Sequence, residues 1–162
     1  MLNTSLPALL ELQAKDQWVC WCYEHNAKSK LTKIPYNART GNKASTTNSA
    51  TWSDFQTAYA AWQLSQETDE SYDGLGFVLN DDYTVIDLDH CIVKETGKPN
   101  EWAQAIIDRI NSYTEISPSG TGIHIIAKGK IPAGIKRPNI EMYSRGRYIT
   151  ISGNLLEGGQ HE

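Results

Sequence analysis

The pattern of apolar and polar positions along the chain predicts short strands interleaved with two longer helices. Residues 18–23 are an apolar and aromatic run of the length expected for a buried strand. Residues 55–62 and 102–110 instead carry apolar side chains at helical spacing, and such stripes pack into a core far more often than they line a ligand pocket. Residues 7–12, with Pro7 in the first turn, predict a further short helix.

The other strand patterns alternate with turn residues. Residues 74–79 and 83–89 have the pattern of two strands, and Asn80-Asp81-Asp82 between them predicts a hairpin turn. Thr51-Trp52-Ser53-Asp54 resembles a capping box before the second helix. Helices interleaved with hairpins indicate an α+β fold with a largely antiparallel sheet. The remaining strands are expected over residues 113–116, 122–127, 140–143 and 147–152.

Length and composition fit one ordinary globular domain. The chain has 162 residues, of which 40% are hydrophobic and 21% charged. No apolar run approaches the roughly 18 residues that a membrane-spanning helix needs. Because Met1-Leu2-Asn3 does not open a secretory signal, we expect a cytoplasmic protein without membrane partners.

The net charge of −4 conceals a strong segregation of charge along the chain. Residues 1–60 carry a net charge of +2, residues 61–115 carry −9 and residues 116–162 carry +3. The stretch 26–53, called the basic segment below, contains no acid, and its cations are candidates for contacts to a nucleic-acid backbone. A solvated loop is the alternative explanation. These cations are Lys28, Lys30, Lys33, Arg39 and Lys43.

The three cysteines do not form a metal or disulfide framework. Cys20 and Cys22 lie two apart in an apolar run, and Cys91 is distant from both. No second Cys/His pair stands at metal-ligand spacing, so we expect buried reduced thiols and no structural zinc.

Asp87 and Asp89 are the first candidates for chemistry. Residues two apart on a strand point to the same face, so these two carboxylates project together while Ile86 and Leu88 enter the core. Paired carboxylates repel each other unless a cation joins them, and hard oxygen ligands suit Mg²⁺ or Mn²⁺. A strand end with two solvated acids explains the pair alone equally well.

A glycine-rich serine loop follows at residues 117–122, here called the serine loop. Its hydroxyls and backbone amides can face an anion, and His124 just beyond it can donate a hydrogen bond to a phosphate oxygen. The alternative is an ordinary turn that leads into a strand, with a histidine whose hydrogen bonds are made within the fold. The loop residues proposed to bind a nucleotide are Ser117, Ser119 and Gly120.

Three further residues complete the set of candidate groups. Glu141 is a potential third metal ligand on an alternating strand. Arg145 and Arg147 lie in a predicted turn, and the guanidinium fork suits phosphate oxygens, although a surface hairpin often carries arginines. Three carboxylates, a histidine, an anion-binding loop and arginines are the parts that two-metal phosphoryl transfer requires.

In this order the motifs resemble the archaeo-eukaryotic primase superfamily, specifically its phage- and plasmid-type primase-polymerase domains. Asp87-Leu88-Asp89 is similar to the first motif of that superfamily, residues 117–124 to the second and Glu141 to the third. The chain also resembles the amino-terminal pattern of the phage-type branch, at residues 32–36, 44–45, 51–52 and 74–77. Residues 147–153 resemble the segment that closes the core of that branch.

The resemblance implies a single catalytic domain over residues 1–162. An αβ module, mainly residues 1–75, is expected to pack with an RRM-like sheet, residues 76–155, which carries the motifs. Such cores are often followed by helical primase segments and a helicase domain. The chain is therefore expected to be part of a longer primase-helicase protein or a stand-alone remnant, with a helicase domain as partner.

The implied activity is template-directed nucleotidyl transfer from NTP or dNTP in the replication of a mobile element. Its partners are a single-stranded DNA template and primer, and its cofactors are two Mg²⁺ or Mn²⁺ ions. By the resemblance, Asp87, Asp89 and Glu141 hold the metals, and His124 joins them in the catalytic set. The nucleotide phosphates are held by Ser117, Ser119, Gly120 and His124.

Two other classes of protein fit part of the pattern. A metal-dependent nuclease can use the same three acids, and a catalytically weak module can bind nucleotide or DNA without turnover. A tyrosine-linked nicking enzyme is disfavoured, because His124 has no second histidine two residues away.

Overall fold

The computed structural model describes residues 7–156, so Met1-Leu2-Asn3 lies outside the described residues. The chain divides into two compact units. Of the described residues, 7–10, 79–145 and 152–156 belong to unit 1, and 11–78 and 146–151 belong to unit 2. The first helix, α1 (Pro7–Gln13), contributes residues to both units.

Unit 2 is built on strands β1 (Trp18–His25) and β2 (Leu31–Tyr36) and on helix α2 (Phe55–Ser65). β1 pairs antiparallel with β2 on one side and with the beginning of β3 (Gly74–Leu88) on the other. The rings of Phe55 and Phe77 meet the buried Trp18 edge to face, at centroid distances of 4.9 and 5.4 Å. This aromatic contact fixes the helix on the strands.

β2 is a strand that the polar pattern of the basic segment did not predict. Its side chains are exposed or half-buried, and it pairs with β1 alone among the described strands. Pro35 cannot donate a backbone hydrogen bond and is tolerated because an edge strand leaves one side unpaired. Because neither face of β2 is fully buried, its sequence lacks the alternation of apolar and polar residues by which a strand is normally recognised.

Helix α2 begins at a cap different from the predicted one. Asp54 is the N-cap, and its carboxylate accepts a hydrogen bond of 2.8 Å from the Thr57 amide. The predicted capping box at residues 51–54 is therefore wrong. Thr51 ends a short 3₁₀-helix, Ser49–Thr51, and its hydroxyl bonds to Ser45 instead.

Unit 1 is an antiparallel sheet covered by one helix. The end of β3 pairs with β7 (Ile123–Lys128), which pairs with β6 (Tyr113–Ile116), while β8 (Ile135–Arg137) pairs with the start of β9 (Ile140–Ile151). The small strands β4 (Ile92–Val93) and β5 (Lys98–Pro99) form a separate hairpin.

Helix α3 (Glu101–Ile110) covers one face of that sheet. The Asn100 side chain caps its start by accepting from the Ala103 amide, and Asn111 ends it in a left-handed conformation. The predicted apolar stripe is confirmed except at Trp102, which is exposed. The buried core under the helix comprises Ile86, Leu88, Cys91, Ala103, Ile107, Ile123, Ile125 and Leu156.

A predicted hairpin and a predicted turn both lie within continuous strands in the structure. β3 runs through Asn80-Asp81-Asp82, and β9 runs through Arg145 and Gly146, so both turn predictions are wrong. Asp81 and Gly146 have positive φ angles of 67° and 69°, which kink the strands without reversing them. The beginning of β3 pairs with β1 and its end pairs with β7, and β3 also pairs with β9, so hydrogen bonds to other strands are made on both sides of the predicted turn.

The predicted fold class, α+β with a mostly antiparallel sheet, is confirmed by these pairings, all of which are antiparallel. No helix within residues 7–156 is long and apolar enough to cross a membrane. The Cys20 and Cys91 thiols are buried and free, and burial raises their pKa values to about 12 and about 11.

Candidate active site

A row of three polar residues crosses the sheet of unit 1. Asp87 on β3 lies directly opposite His124 on β7, which lies directly opposite Glu115 on β6. Directly opposed residues of neighbouring strands share one face of the sheet. We call Asp87, His124 and Glu115 the histidine row. The opposite face carries Ile86 and Ile125 in the core under α3.

His124 lies between two carboxylates and is only 3% exposed. Its Nδ1 is 3.4 Å from Glu115 Oε2, and its Nε2 is 3.8 Å from Asp87 Oδ1. The sequence predicted that this imidazole donates a hydrogen bond to a phosphate oxygen, and that contact stays a prediction. In the structure the ring faces the Asp87 carboxylate, a predicted metal ligand, on one side and the Glu115 carboxylate on the other.

Glu115 is a site residue that the sequence did not reveal. Its side chain is fully buried, and it accepts hydrogen bonds from the Tyr113 hydroxyl at 2.9 Å and the Ser152 amide at 2.8 Å. Burial, reinforced by the neighbouring Glu115 carboxylate, raises the pKa of Tyr113 above its ordinary value. The available signal was an acid within the short apolar strand 113–116, a position where solvent exposure is otherwise expected.

The three predicted metal ligands are brought together around one cavity of about 400 Å³. Asp87 lies near the end of β3, Asp89 follows that strand, and Glu141 lies near the start of β9. We call this the acidic cavity. Its lining residues are Asp87, Asp89, Lys136, Arg137, Pro138, Asn139, Ile140 and Glu141.

Two cations that the sequence did not single out share the acidic cavity. Lys136 pairs in register with Glu141, and its Nζ is 3.7 Å from Glu141 Oε1, while Arg137 is the next residue along β8. The ammonium group partly offsets the charge of the carboxylates. Within residues 7–156, no three His, Cys, Asp or Glu side chains are arranged closely enough to hold a metal ion as they stand.

Gly122 sets the close approach of the serine loop to the end of β3. A Cβ atom at this position would lie 2.7 Å from the Leu88 carbonyl oxygen and 3.3 Å from both Asp89 Oδ1 and Ser117 Oγ. Only a glycine allows this approach without displacing backbone. The Asp89 amide is fixed from the other side by a 2.8 Å hydrogen bond to the Asn139 carbonyl.

The serine loop is closed by its own hydrogen bonds. The Gly120 amide donates to the Ser117 carbonyl and the Gly122 amide to Ser117 Oγ. The hydroxyls of Ser117, Ser119 and Thr121 form a chain with spacings of 2.9 and 3.0 Å. Two amides of the loop, which the sequence predicted could face an anion, are therefore engaged within it, whereas Ser119 and Thr121 are exposed residues.

The two arginines have different surroundings. Arg145 belongs to unit 1, where its Nε donates a 2.7 Å hydrogen bond to Asp81 Oδ1. Arg147 belongs to unit 2 and is exposed. The binding of phosphate by either arginine stays a prediction.

The cations of the basic segment all lie in unit 2. Lys28 and Lys30 flank the turn between β1 and β2, which Asn26 stabilises by accepting from both of their amides. Arg39 donates to the Ala50 carbonyl, and Lys43 is 3.8 Å from Glu24. Lys33 differs from the rest because its Nζ lies 5.7 and 5.9 Å from the ring centroids of Trp21 and Tyr23.

Comparison with known proteins gives one informative relative. No family model matches the chain. A protein named DNA primase-polymerase from Nitratiruptor phage NrS-1 is 40% identical over 162 aligned positions, which cover 94% of this chain. The chain spans about a fifth of the length of that relative, 21%. Such identity over nearly the whole chain confirms the resemblance drawn from the motifs: the chain is homologous to part of a phage-type primase-polymerase.

Proposed function

We propose that this chain is the nucleotidyl-transfer domain of a DNA primase-polymerase. The observation that carries the proposal is the convergence of Asp87, Asp89 and Glu141 on one cavity in a chain related to a protein of that name. The acids come from two strands far apart in sequence, and such an arrangement is costly unless a cation balances the charge. Template-directed extension in the replication of a mobile element is the corresponding role.

The donor set of the acidic cavity fits Mg²⁺ or Mn²⁺. All three candidate ligands are carboxylates, the oxygen donors that these hard ions prefer, and their side chains are half-buried or exposed. Asp87, Asp89 and Glu141 would hold the ions, and a bound pair supplies polarisation of the attacking and leaving oxygens. Lys136, whose Nζ is 3.7 Å from Glu141 Oε1, places a positive charge beside that ligand.

Binding of the nucleotide phosphates is proposed for exposed donors around this cavity. Ser119 is exposed at the tip of the serine loop, and Lys136 and Arg137 line the acidic cavity itself. Ammonium and guanidinium groups bind triphosphate oxygens, the latter by paired hydrogen bonds. Ser117, Gly120, Arg145 and Arg147 remain the other proposed phosphate contacts, and His124 acts through Asp87.

The basic segment is proposed as the contact to the template or primer backbone. Its lysines are exposed or stacked beside aromatic rings, and the segment has no acid of its own. Contacts of this kind give affinity without sequence preference and fall off with salt. NTP or dNTP, single-stranded DNA and a helicase domain are thus the proposed partners.

A gel assay with a labelled primer-template tests the proposal and separates its rivals. Wild-type protein with Mg²⁺ or Mn²⁺ is expected to lengthen the primer only when dNTPs or rNTPs are supplied. Asp87→Ala should remove this activity while the thermal unfolding curve stays close to wild type. Shortening of the DNA without nucleotides would identify a nuclease, and binding without turnover under either metal would identify a binding module. Either result overturns the proposal.

A further inference from the structure

We propose that Glu115 is a positioning residue, which fixes the orientation of the His124 ring and through it the Asp87 carboxylate. The expected effect of this role on kinetics rests on the proposed function. The hydrogen bonding of Glu115 to His124 does not depend on that function. Glu115, His124 and Asp87 form one row across three neighbouring strands. The row runs from a fully buried carboxylate to the rim of the acidic cavity.

Glu115 is itself held rigidly. The Tyr113 hydroxyl donates to Oε1 at 2.9 Å, and the Ser152 amide donates to Oε2 at 2.8 Å. The Ser152 amide comes from the segment that follows β9, so the carboxylate is fixed by two separate parts of the chain. A buried carboxylate with donors on both oxygens cannot rotate without leaving buried polar groups unpaired.

The fixed carboxylate determines which way the imidazole faces. A carboxylate is only an acceptor, so Nδ1, 3.4 Å from Oε2, must carry a hydrogen whether the ring is neutral or cationic. The other nitrogen, Nε2, then faces Asp87 Oδ1 at 3.8 Å, beyond hydrogen-bond distance, so the ring bounds the position of that carboxylate by its place between the two acids. The orientation of the ring therefore does not depend on its charge.

The expected kinetic consequence is loss of turnover with little change in nucleotide affinity. Glu115 does not line the acidic cavity, and His124 lies between it and Asp87. Removing a group that orients a metal ligand typically costs about 10–100-fold in metal affinity or activity, and Glu115 acts one residue further out, so we expect the lower end of that range. We expect Glu115→Gln to lower kcat by about 10-fold, with KM for the nucleotide within about 2-fold of wild type.

The test combines kinetics with NMR of protein whose histidine rings are labelled with ¹⁵N. Wild-type protein should show a solvent-protected Nδ1–H resonance, assigned to His124 because it is absent in His124→Asn. In Glu115→Gln the resonance should shift, since a neutral amide oxygen replaces the carboxylate. In Glu115→Ala it should disappear through exchange with water.

Thr114→Val is the matched control. Thr114 is fully buried on the same strand, and its hydroxyl bonds to the Ser112 carbonyl rather than to the histidine row. The Thr114→Val substitution should leave the His124 resonance and kcat near their wild-type values even if it makes β6 less stable. An unchanged resonance and kcat in Glu115→Gln, or equal losses in Thr114→Val, would overturn the inference.

The two proposals fail separately. If wild-type protein incorporates no nucleotide, the proposed function fails, while the NMR comparison still decides the role of Glu115. If incorporation is normal but His124 shows no dependence on Glu115, only the positioning role fails. If Glu115→Ala does not fold, the shift in Glu115→Gln decides the question, because that variant preserves the side-chain shape and one acceptor oxygen.

Discussion

The acids of unit 1 and the cations of unit 2 differ in what fixes their side chains. Asp87 lies on a strand paired with β7, and its carboxylate faces a buried histidine that a second buried carboxylate orients. Lys28 and Lys30 instead flank a turn in which Asn26 binds their backbone amides. For these residues, unit 1 fixes the side chain, whereas the turn in unit 2 fixes the backbone.

This difference separates two kinds of function. Groups that act on a reacting phosphate must be held to within a fraction of an ångström, and paired strands with a buried second layer supply that precision. Contacts to a polyanionic backbone need only positive charge within reach, so flexible exposed lysines are sufficient. The comparison predicts large effects of small changes in unit 1 and small, additive effects in the basic segment.

The largest expected effect follows from Asp89→Asn. The substitution preserves shape but removes one negative charge from the acidic cavity, so primer extension should fall by at least about 10²-fold. Asp108→Asn is the matched control, because Asp108 is an exposed acid on α3 in the same unit. Initial rates of dNTP incorporation measure the effect. Comparable rates in the two variants would show that the cavity carboxylates have no particular role in primer extension.

Gly122→Ala should destabilise the site without removing any functional group. The new Cβ would collide with the Leu88 carbonyl, and such overpacking costs about 1–3 kcal/mol. Gly134→Ala should stay within about 1 kcal/mol of wild type, since its Cβ meets only the Met142 carbonyl at 3.5 Å. Urea unfolding measures both values, and equal stability of the two variants would contradict the close approach.

A double substitution in the basic segment should change salt dependence more than turnover. For Lys28→Ala with Lys30→Ala, the slope of log affinity for single-stranded DNA against log salt should fall by about 1.4, or about 0.7 for each phosphate that is no longer neutralised. Lys94→Ala with Lys98→Ala is the control, because both are exposed lysines of unit 1. Fluorescence anisotropy over a salt series measures the slopes. A decrease of the slope by the same amount in the control would show that the basic segment has no particular role in DNA binding.

The smallest effect is expected from Asp54→Ala, which removes the cap of α2. Loss of an N-cap carboxylate costs about 1 kcal/mol at neutral pH. Hydrogen bonds from Thr57 lower the pKa of Asp54 in the folded protein below its ordinary value. The stabilisation is therefore complete above the ordinary pKa of the unfolded chain and disappears as pH falls through the lower pKa of the folded protein.

Thermal unfolding of wild type and Asp54→Ala between about pH 7 and about pH 2 measures this contribution. The two curves should converge at the acid end. Asp69→Ala, an exposed acid of the same unit, is expected to show no such pH-dependent difference. A constant difference across the pH range would exclude a capping role for the Asp54 charge.

Local patterns predicted most elements of the sheet and the principal acids. The alternation at residues 85–89 predicted that the side chains of Asp87 and Asp89 point to the same face, and both residues line the acidic cavity. The apolar spacing at residues 102–110 predicted α3, whose buried residues include Ala103 and Ile107. These predictions succeeded because each depends on neighbours within one turn or one strand.

The two wrong turn predictions arose where a long-range partner overrides a local signal. Asn80-Asp81-Asp82 has the composition of a turn, yet β3 continues because each of its halves pairs with a different strand. Gly146 likewise kinks β9 without ending it. Turn residues permit a reversal of the chain, but hydrogen bonding to distant strands decides whether it takes place.

The sequence by itself determined which chemical groups are available: paired carboxylates two residues apart, a histidine after a glycine-rich loop, and a basic segment without acids. Only the tertiary structure decided that His124 lies between Asp87 and Glu115 and that Lys136 faces Glu141. The physical reason is strand register. Which residues oppose each other across a sheet depends on pairing between segments far apart in the chain, and a register determines every cross-strand neighbour at once.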